Sequence, residues 1–313
     1  MSASLVSRIQ ARSRRLPEIL LALACLALIG RLTLRDRIPG LSTIYYATPL
    51  PILALGPAAA GLIALLVRRP RWAAGSGAAA VVLLAVFLGS SHRSLASPRG
   101  GEIRGVLWNV SHGMKGWDRV ASGLASRNAD LIAIVEGGTK VDDGREAMFQ
   151  SAMPGGDARW FKRGMGLAVR GGRILDWTDR VLAGFGRAVF VRTEIRGRAL
   201  EVVLVDLDAN PFRSRAAAFE ALSRSLEGER SGPRLVLGDF NTPWESVHFD
   251  AFRATMHHAF DRAGSGLSPT WPLPVPVLEL DHVWGREVRF TSCAHEDLGA
   301  SDHRAVAFDF LVD

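Results

Sequence analysis

The sequence is poor in cysteine and in lysine. Its two cysteines, Cys25 and Cys293, stand far apart, so neither a disulfide framework nor a cysteine-based metal site is supported. Only three of its 313 residues are lysine, which argues mildly against a surface built to bind nucleic acid. Because 48% of the residues are hydrophobic, the chain can bury a core in one or two domains. A small disulfide scaffold and a disordered tail are both excluded.

Acidic residues are almost absent from the first hundred positions. That segment holds 12 arginines but only Glu18 and Asp36 as acids, which gives it a net charge of +10. Residues 101–313 carry a net charge of −3, so the overall charge of +7 belongs to the N-terminal segment. The charge balance therefore provides no electrostatic footprint for nucleic acid on the C-terminal part.

Long uncharged runs predict membrane helices in residues 1–91. The strongest candidate is 48–67, because its run is long enough to cross roughly 30 Å of hydrocarbon as a helix. A second uncharged run predicts a helix at 73–91. The third, 17–34, has a short uncharged centre and spans only with Glu18 and Arg31 at the two interfaces. The alternative for this segment is a signal-peptide core, and we favour an uncleaved helix.

The distribution of arginine predicts which side of the membrane the rest of the chain faces. The basic N-terminus and the loop containing Arg68, Arg69 and Arg71 both favour the cytoplasmic side. With three crossings, the following domain would face the periplasm, and the protein would be a multi-pass protein of the cell inner membrane. If 17–34 does not cross, the domain is cytoplasmic. Arginine in place of lysine, with abundant alanine and glycine, is typical of a GC-rich bacterium.

A short polar segment separates this region from a domain of mixed strands and helices. Residues 92–101 have the serine, glycine and proline content of a linker, and we place the second domain at 102–313. Many short apolar runs and few helices favour an α/β or α+β sandwich with mixed sheets. The predicted strands are 102–110, 130–136, 166–169, 188–195, 200–207, 234–237, 280–284, 288–291 and 305–310, and the predicted helices are 117–128, 214–226 and 246–256.

Polar side chains repeatedly end the apolar strands of this domain. They occur in the segments VLWNV, LIAIVEGG, LVLGDFN, LELDHVW and GASDHRAV, as Asn109, Glu136, Asp239, Asn241, Asp281, His282, Asp302 and His303. Carboxylates pointing into a core are costly, so they are expected to converge at a rim where a cation or a proton offsets them. Four carboxylates with amides and imidazoles suit Mg²⁺ or Mn²⁺, an ion that polarises phosphoryl oxygens.

Five motifs in this order, WN, DLIAIVE, GDFN, LDHVW and SDHRAV, resemble those of the endonuclease/exonuclease/phosphatase superfamily. The superfamily includes apurinic endonucleases, pancreatic-type deoxyribonucleases, neutral sphingomyelinases and inositol-phosphate 5-phosphatases. The resemblance covers about 103–311. It implies a four-layer α/β/β/α sandwich, preceded here by an all-α transmembrane segment of about three helices. It also implies Mg²⁺- or Mn²⁺-dependent hydrolysis of a P–O bond.

The same resemblance implies roles for individual residues. Glu136 would be the principal metal ligand, with Asn109 and Asp302 near the ion or the phosphate. Asp239 would orient or deprotonate the attacking water.

Three further residues complete the implied machinery. Asn241 would hold the water and the developing oxyanion. His303 would contact the phosphoryl oxygen or assist proton transfer, and Asp281 would pair with it and fix its tautomer. For His282 a structural hydrogen bond is expected.

The chain departs from the superfamily pattern at the end of one strand. Where the family usually shows a histidine or tyrosine that donates to the phosphate, this chain has Asp206, which must bind metal, pair with a cation or take a new role. Ser111 stands where nucleases of the group often place a further acid. Arg213 and Arg215 either clamp a phosphate or are solvated at a helix start.

Three functional hypotheses follow. The first is a membrane-anchored phosphodiesterase or phosphatase whose tether concentrates it near a lipid head group or another surface-held phosphoester. The second is an endonuclease or exonuclease that uses the same site on nucleic acid. The third is a catalytically degenerate member that binds phosphorylated ligands without turnover, motivated by Asp206. The partners expected are the phosphoester substrate and the lipid bilayer, and no obligate protein partner is inferred.

Overall fold

The computed structural model describes residues 3–97, 102–138, 143–184, 186–227 and 232–312. The chain forms two compact units, Met1–Ser91 with Pro211–Ser214 and His92–Asn210 with Arg215–Asp313. The segment predicted as a linker, 92–101, begins with a short strand, and its last four residues lie outside the described residues.

The first unit is helical. Its helices are α1 (Ala3–Thr33), α2 (Ser42–Ala47), α3 (Leu50–Leu66) and α4 (Pro70–Ser91). Small residues bring three of these helices close together. A Cβ atom added to Gly56 of α3 would lie 3.2 Å from the Cβ of Ala24 in α1. One added to Gly61 of α3 would lie 3.4 Å from the backbone of Gly77 in α4. Such close approaches at small residues are typical of helix packing in membranes.

The prediction of three spanning helices needs correction. Among the described residues, two helical segments are long and apolar enough to cross a membrane, Arg15–Thr33 and Pro70–Ser91. The run predicted as the strongest span forms the shorter helix α3, with 17 residues. The difference arises at its ends, because Pro49 caps the helix from outside and Val67 already has a non-helical conformation. The uncharged run is therefore longer than the helix that it forms.

The second unit contains two β-sheets. Its strands are β1 (His92–Ser94), β2 (Ile103–Asn109), β3 (Leu131–Val135), β4 (Asp157–Trp160), β5 (Gly166–Val169), β6 (Gly172–Leu182), β7 (Gly186–Ile195), β8 (Arg198–Leu207), β9 (Arg234–Asp239), β10 (His257–His258), β11 (Gly264–Leu267), β12 (Asp281–Arg286), β13 (Val288–Glu296) and β14 (Ala305–Val312). The first sheet has the order β1-β11-β13-β14-β2-β3-β5-β4, and the second has the order β10-β12-β9-β8-β7-β6.

Helices cover the outer faces of the sheets. They are α5 (Trp117–Ala125), α6 (Asp143–Ala152), α7 (Ala216–Glu227) and α8 (Asp250–Thr255), while the short helix α9 (Ala259–Ala263) contributes to the core between the sheets. One buried cluster joins the facing sides of the two sheets. A second cluster packs α5 and α6 against β2 and β3, and a third packs α7 and α8 against β7, β8 and β9. The mixed α/β sandwich of two sheets is confirmed, since alternating strand residues serve either the central core or an outer helix.

The apolar runs locate most central strands, and several elements that lack a continuous apolar run are not predicted. Strand β6 was not predicted because it lies at a sheet edge and most of its side chains are exposed. Strand β4 and helix α6 were missed for the same lack of a continuous apolar pattern. The helix predicted at 246–256 begins as a 3₁₀ turn, Val247–Phe249, and becomes α-helical only at Asp250.

Candidate active site

Three acidic residues form a row at one end of three adjacent strands of the second sheet, which we call the acidic edge. Asp239 is the last residue of β9, and strand pairing places it opposite Asp281 of the antiparallel neighbour β12. On its other side Asp239 pairs with Asp206 of the parallel neighbour β8. Paired residues on adjacent strands point to the same face of a sheet, so the three carboxylates share one surface.

A glycine allows strand β9 to approach β8 so closely. Gly238 has a φ of +155°, and a Cβ atom added there would lie 1.8 Å from the carbonyl oxygen of Val205. A side chain at this position would push the two strands apart. The glycine of the GDFN motif is thus a condition for the register that aligns Asp239 with Asp206.

An asparagine connects the two sheets at this edge. Asn109, the last residue of β2 in the first sheet, donates an Nδ2–H hydrogen bond to Asp239 Oδ2 over 2.9 Å. Its Oδ1 accepts a hydrogen bond from the backbone N–H of Ser111 at 2.9 Å, which fixes the orientation of the amide. Both side chains are buried. The Asn109 amide therefore holds the Asp239 carboxylate between the sheets.

A histidine and an aspartate form a buried pair beside this contact. His303 Nδ1 lies 2.8 Å from Asp281 Oδ2. Burial acts to lower the pKa of His303, but the charge and hydrogen bond of Asp281, together with nearby Asp239 and Asp302, raise it to about 10. Since Nδ1 donates to Asp281, Nε2 is the ring nitrogen left to face a substrate. The backbone carbonyl of His303 accepts a hydrogen bond from Trp108 Nε1, which ties the pair to β2.

The acidic groups at this edge lie close together, and burial and neighbouring charges raise the pKa values of two of them. Burial, followed by the charge of Asp281, raises the pKa of Asp239 well above its usual range, while His303 opposes the shift. Burial and the charge of Glu136 raise the pKa of Asp206 to about 7. The carboxyl groups thus repel one another in the protein alone, and a cation among them would relieve that repulsion.

Glu136 lies just beyond strand β3 in an uncommon backbone conformation. Its φ is +53°, and Ser111 and His112, in the loop after β2, also have positive φ values, +47° and +57°. Left-handed residues other than glycine cost about 1 to 3 kcal/mol each and cluster at functional sites. His112 is exposed, and its Nε2 lies 3.9 Å from a carboxylate oxygen of Glu136. Glu136 is partly accessible to solvent.

Asp302 reaches the site from the loop before β14. Its Oδ2 accepts a hydrogen bond from Trp271 Nε1 over 3.2 Å. Burial acts to raise its pKa, but hydrogen bonds from Ser111 and Trp271 and the charge of His303 bring it below the usual value. Asp302 is therefore held as a carboxylate. The neighbouring Ser301 donates its hydroxyl to the carbonyl oxygen of Asn109 at 2.7 Å, which fastens this loop to the end of β2.

Asn241 and Arg215 shape the loop after β9. The backbone N–H of Asn241 donates to Asp239 Oδ1 at 2.7 Å, and its Nδ2 donates to the carbonyl of Leu207 at 2.9 Å. Arg215 is buried and donates to the carbonyls of Asn241, at 3.3 Å, and Asn210, at 2.8 Å. Arg215 thus supports the loop backbone. Arg213 is exposed and belongs to the segment grouped with the helical unit.

The donor set fits a hard divalent cation. Carboxylate oxygens of Asp239 and Asp281 lie within 4.8 Å of each other, beside the ring of His303. Asp281 Oδ1 is buried and has no hydrogen-bond partner within the described part of the chain. Glu136 and Asp302 add carboxylate oxygens with some solvent access. Oxygen-rich sites of this kind suit Mg²⁺ or Mn²⁺.

Sequence reasoning missed several supporting residues. Ser301 precedes the aspartate and histidine of the SDHRAV motif, so its position in that motif could have singled it out. Trp108 likewise stands in the WN motif. Trp271 carried no signal, because it belongs to none of the motifs and reaches Asp302 from the loop between β11 and β12.

Comparison with known proteins places this arrangement in context. The profile of the Endonuclease/Exonuclease/phosphatase family matches residues 106–303. No curated protein matches the chain significantly. Among solved structures, the endonuclease/exonuclease/phosphatase from Bacteroides vulgatus is 17% identical, with a TM-score of 0.54, and the match covers 68% of this chain and 99% of that one.

Two further solved structures are similar. D. rerio TDP2 complexed with single strand DNA product is 12% identical, with a TM-score of 0.56, and the match covers 67% of this chain and 99% of that one. A mannosyl-6-phosphatase from Bacteroides thetaiotaomicron is 14% identical, with a TM-score of 0.55, and the match covers 67% and 99% of the two chains. At these identities the similarity establishes a shared fold.

Proposed function

The chain belongs to the endonuclease/exonuclease/phosphatase family, and we propose that it hydrolyses a phosphoester held at or near a membrane, with Asp239 and His303 as catalytic residues. Its class follows from the family, whose members are metal-dependent hydrolases of ester bonds. The hydrogen bond between Asn109 and Asp239, next to the pair of Asp281 and His303, is the observation that supports these roles best.

The proposed chemistry is in-line attack by water on phosphorus. Asp239 accepts the proton of the water, because hydrogen bonds from Asn109 and from the backbone N–H of Asn241 hold its carboxylate in place. The second N–H of the Asn241 amide donates to the water or to a phosphoryl oxygen. His303 donates from Nε2 to the phosphoryl or leaving oxygen, with its proton stabilised by Asp281.

Glu136, Asp302 and Asn109 are the residues we propose to hold the metal. A bound Mg²⁺ or Mn²⁺ would supply neutralisation of the charge on the phosphoryl oxygens. Asp302 is kept ionised by its hydrogen bonds, so it is prepared to bind a cation. Asn109 has an oxygen with a second lone pair beyond the one used by Ser111.

Asp206 adds a carboxylate where relatives place a donor. Because its pKa is raised partly by the charge of Glu136, the two acids face a common region. We propose that Asp206 strengthens binding of the cation and leaves hydrogen-bond donation to the phosphoryl group to His303 and Asn241. The chain would then remain an active enzyme despite the exchange.

Membrane attachment is proposed from the helical unit. In each of the two segments long enough to span, only 11% of the residues are buried. Large apolar side chains such as Leu26 of α1 and Val81 of α4 are more than half exposed, as lipid-facing side chains are. A membrane tether would raise the local concentration of a lipid head group, which is the substrate class we favour.

The activity is tested with full-length protein in detergent micelles. We expect wild type to hydrolyse bis-p-nitrophenyl phosphate with Mg²⁺ or Mn²⁺. In Asp239→Asn and His303→Ala the rate of hydrolysis should fall at least about 100-fold, which is the range for catalytic proton transfer. The exposed change His257→Ala is the matched control. Full activity in both site variants would contradict the assigned roles. Binding of a phosphoester without turnover in wild type would favour the degenerate, binding-only alternative.

The substrate class is tested by offering anionic phospholipid vesicles, single-stranded DNA and a sugar phosphomonoester to the same preparation. Faster turnover of phospholipid supports the proposal. Preference for DNA would favour the nuclease alternative, which the TDP2 complex suggests and the charge of −3 on residues 101–313 opposes.

Attachment is tested by whether the chain stays with membranes after alkaline extraction. The side that the domain faces depends on α3, since an even number of crossings returns it to the side of the N-terminus. Protease access to the domain in intact spheroplasts distinguishes the periplasmic from the cytoplasmic arrangement.

A further inference from the structure

A second group of metal-binding side chains lies apart from the acidic edge. It consists of His258 at the end of β10, Glu279 just before β12, and His282 within β12. Their exposed fractions are 4%, 7% and 0%. His282 follows Asp281 directly, so the two side chains point to opposite faces of the strand. The group is therefore separated from the active site by the sheet itself.

Three donor atoms of this group face a common point. His258 Nε2 lies 3.3 Å from His282 Nδ1 and 3.6 Å from Glu279 Oε1. His282 Nδ1 lies 3.9 Å from the same oxygen. A point equidistant from the three atoms in their plane is about 2.1 Å from each, within the range of Zn–N and Zn–O bonds. The spacing is that of ligands around a small transition-metal ion.

The tautomer of His282 is fixed in the form that a metal ligand needs. Its Nε2 lies 2.9 Å from the carbonyl oxygen of Thr242, which can only accept, so Nε2 carries the proton. The neutral ring then presents the lone pair of Nδ1 to the group. Donation of the other ring N–H to a backbone carbonyl is the usual support of a metal-bound histidine.

Hydrogen bonds alone leave the group incompletely satisfied. If His258 Nε2 donates to His282 Nδ1, Glu279 Oε1 receives nothing, because 3.6 Å exceeds a hydrogen-bond length. Within the described residues, Oε1 has no hydrogen-bond partner, although the side chain of Glu279 bonds to Ser268. A cation at the common point would satisfy all three lone pairs at once.

The surroundings hold the side chains in place. The ring of His258 stacks on Trp244 with centroids 4.4 Å apart, and His282 contacts Phe249 edge to face at 4.6 Å. Two neutral imidazoles and one carboxylate form a ligand set that zinc uses, and one that Mg²⁺ does not prefer.

We propose that His258, Glu279 and His282 bind one divalent transition-metal ion, of which Zn²⁺ is the best fit, as a structural site. Substrate cannot reach ligands so deeply buried, so the ion joins elements rather than takes part in catalysis. It links β10 to β12 and, through Thr242, to the loop that carries Asn241. The site thus braces the side of the sheet opposite the acidic edge.

Metal retention by the full-length protein tests the proposal. Wild type and variants are loaded with Zn²⁺, freed of excess ion in buffer containing Mg²⁺, and assayed for bound zinc. We expect one zinc per chain in wild type, in the neighbouring exposed variant His257→Ala, and in the acidic-edge variant Glu136→Gln. We expect the affinity for Zn²⁺ to fall more than about 100-fold in His258→Ala and in Glu279→Gln. This loss is larger than the one that follows when only a hydrogen-bond partner of a metal ligand is removed.

A second measurement serves if a variant does not fold. X-ray absorption of zinc-loaded wild type reports the ligands directly, and two imidazole nitrogens with carboxylate oxygen are expected. Co²⁺ in place of Zn²⁺ should give intense visible absorption bands of a low-coordinate site. A shell of oxygen ligands alone, zinc retained unchanged by Glu279→Gln, or no stoichiometric binding of Zn²⁺ or Co²⁺ by wild type would overturn the proposal.

Discussion

Asn109 and Asp239 end strands of two different sheets and share a buried hydrogen bond of 2.9 Å. The bond makes the position of a carboxylate in one sheet depend on an amide in the other. Catalysis should therefore respond to the relationship between these residues as well as to each alone.

The first prediction is that Asn109 and Asp239 act as a unit. Asn109→Ala should lower kcat/KM by about 100-fold, because Asp239 loses the donor that holds it. It should also lower the free energy of unfolding by about 1 to 3 kcal/mol, since buried polar groups lose their partner. Kinetics of the two single variants and Asn109→Ala/Asp239→Asn form the measurement. The double variant should be about as slow as Asp239→Asn alone, and multiplicative losses would show independent action.

The second prediction concerns the pair of Asp281 and His303. The carboxylate holds the pKa of His303 at about 10, so Asp281→Asn should lower that pKa toward its usual value of 6.5. If protonated His303 is needed, the loss of kcat/KM at high pH should move to lower pH in Asp281→Asn. Profiles measured from about pH 6 to pH 10 with saturating Mn²⁺ test this. An alkaline limit unchanged between the two proteins would mean that the proton on His303 does not limit the reaction.

The third prediction uses Asp206 and stability. Its pKa is about 7 in the folded protein and near 3.8 in the unfolded chain. Between these values the folded state keeps a proton that the unfolded state has lost, so rising pH destabilises the fold. Without metal, the free energy of unfolding of wild type should fall by about 2 to 4 kcal/mol relative to that of Asp206→Asn when the pH rises from 4 to 8. Denaturant unfolding with chelator present measures the difference.

Two controls sharpen this test. Asp118→Asn, a change of an exposed acid in the first turn of α5, should leave the pH dependence close to that of wild type. Added Mg²⁺ should stabilise wild type more than Asp206→Asn at pH 8, because the ionised group then has a cation beside it. Parallel stability curves for wild type and Asp206→Asn would show that Asp206 does not keep a proton in the fold.

The sequence permits prediction of the site residues where they end apolar strands. Asp239 and Asp281 stand at the boundary between a buried run and a loop, a pattern that also indicates which edge of the sheet they share. The same pattern could not show that Asn109 donates across the sheets, because which sheet each strand joins is decided by tertiary packing. The roles assigned to these residues stay predictions until they are measured.

Other features depend on contacts that no local pattern records. Trp271 reaches Asp302 from a loop, and His258 meets His282 only because β10 pairs with β12. In the helical unit a local pattern is present in the sequence, but it predicts a helix that is too long. Its uncharged run at 48–67 is real, but hydropathy does not register that α3 begins only after Pro49 and ends before Val67, so the length of the span was overestimated.

The last prediction concerns Gly238, whose importance for the row of carboxylates is steric. A Cβ atom there would lie 1.8 Å from the carbonyl oxygen of Val205, and this oxygen belongs to the neighbouring strand and cannot move alone. Gly238→Ala should lower the free energy of unfolding by about 3 kcal/mol or more and disturb the alignment of Asp239. Gly171→Ala is the matched control, since Gly171 has a φ of +62° but open space around it. Gly171→Ala should lower the free energy of unfolding by about 1 to 2 kcal/mol because of its backbone conformation alone, and it should retain activity. Equal losses in stability and activity for the two variants would show that close packing at Gly238 does not position Asp239.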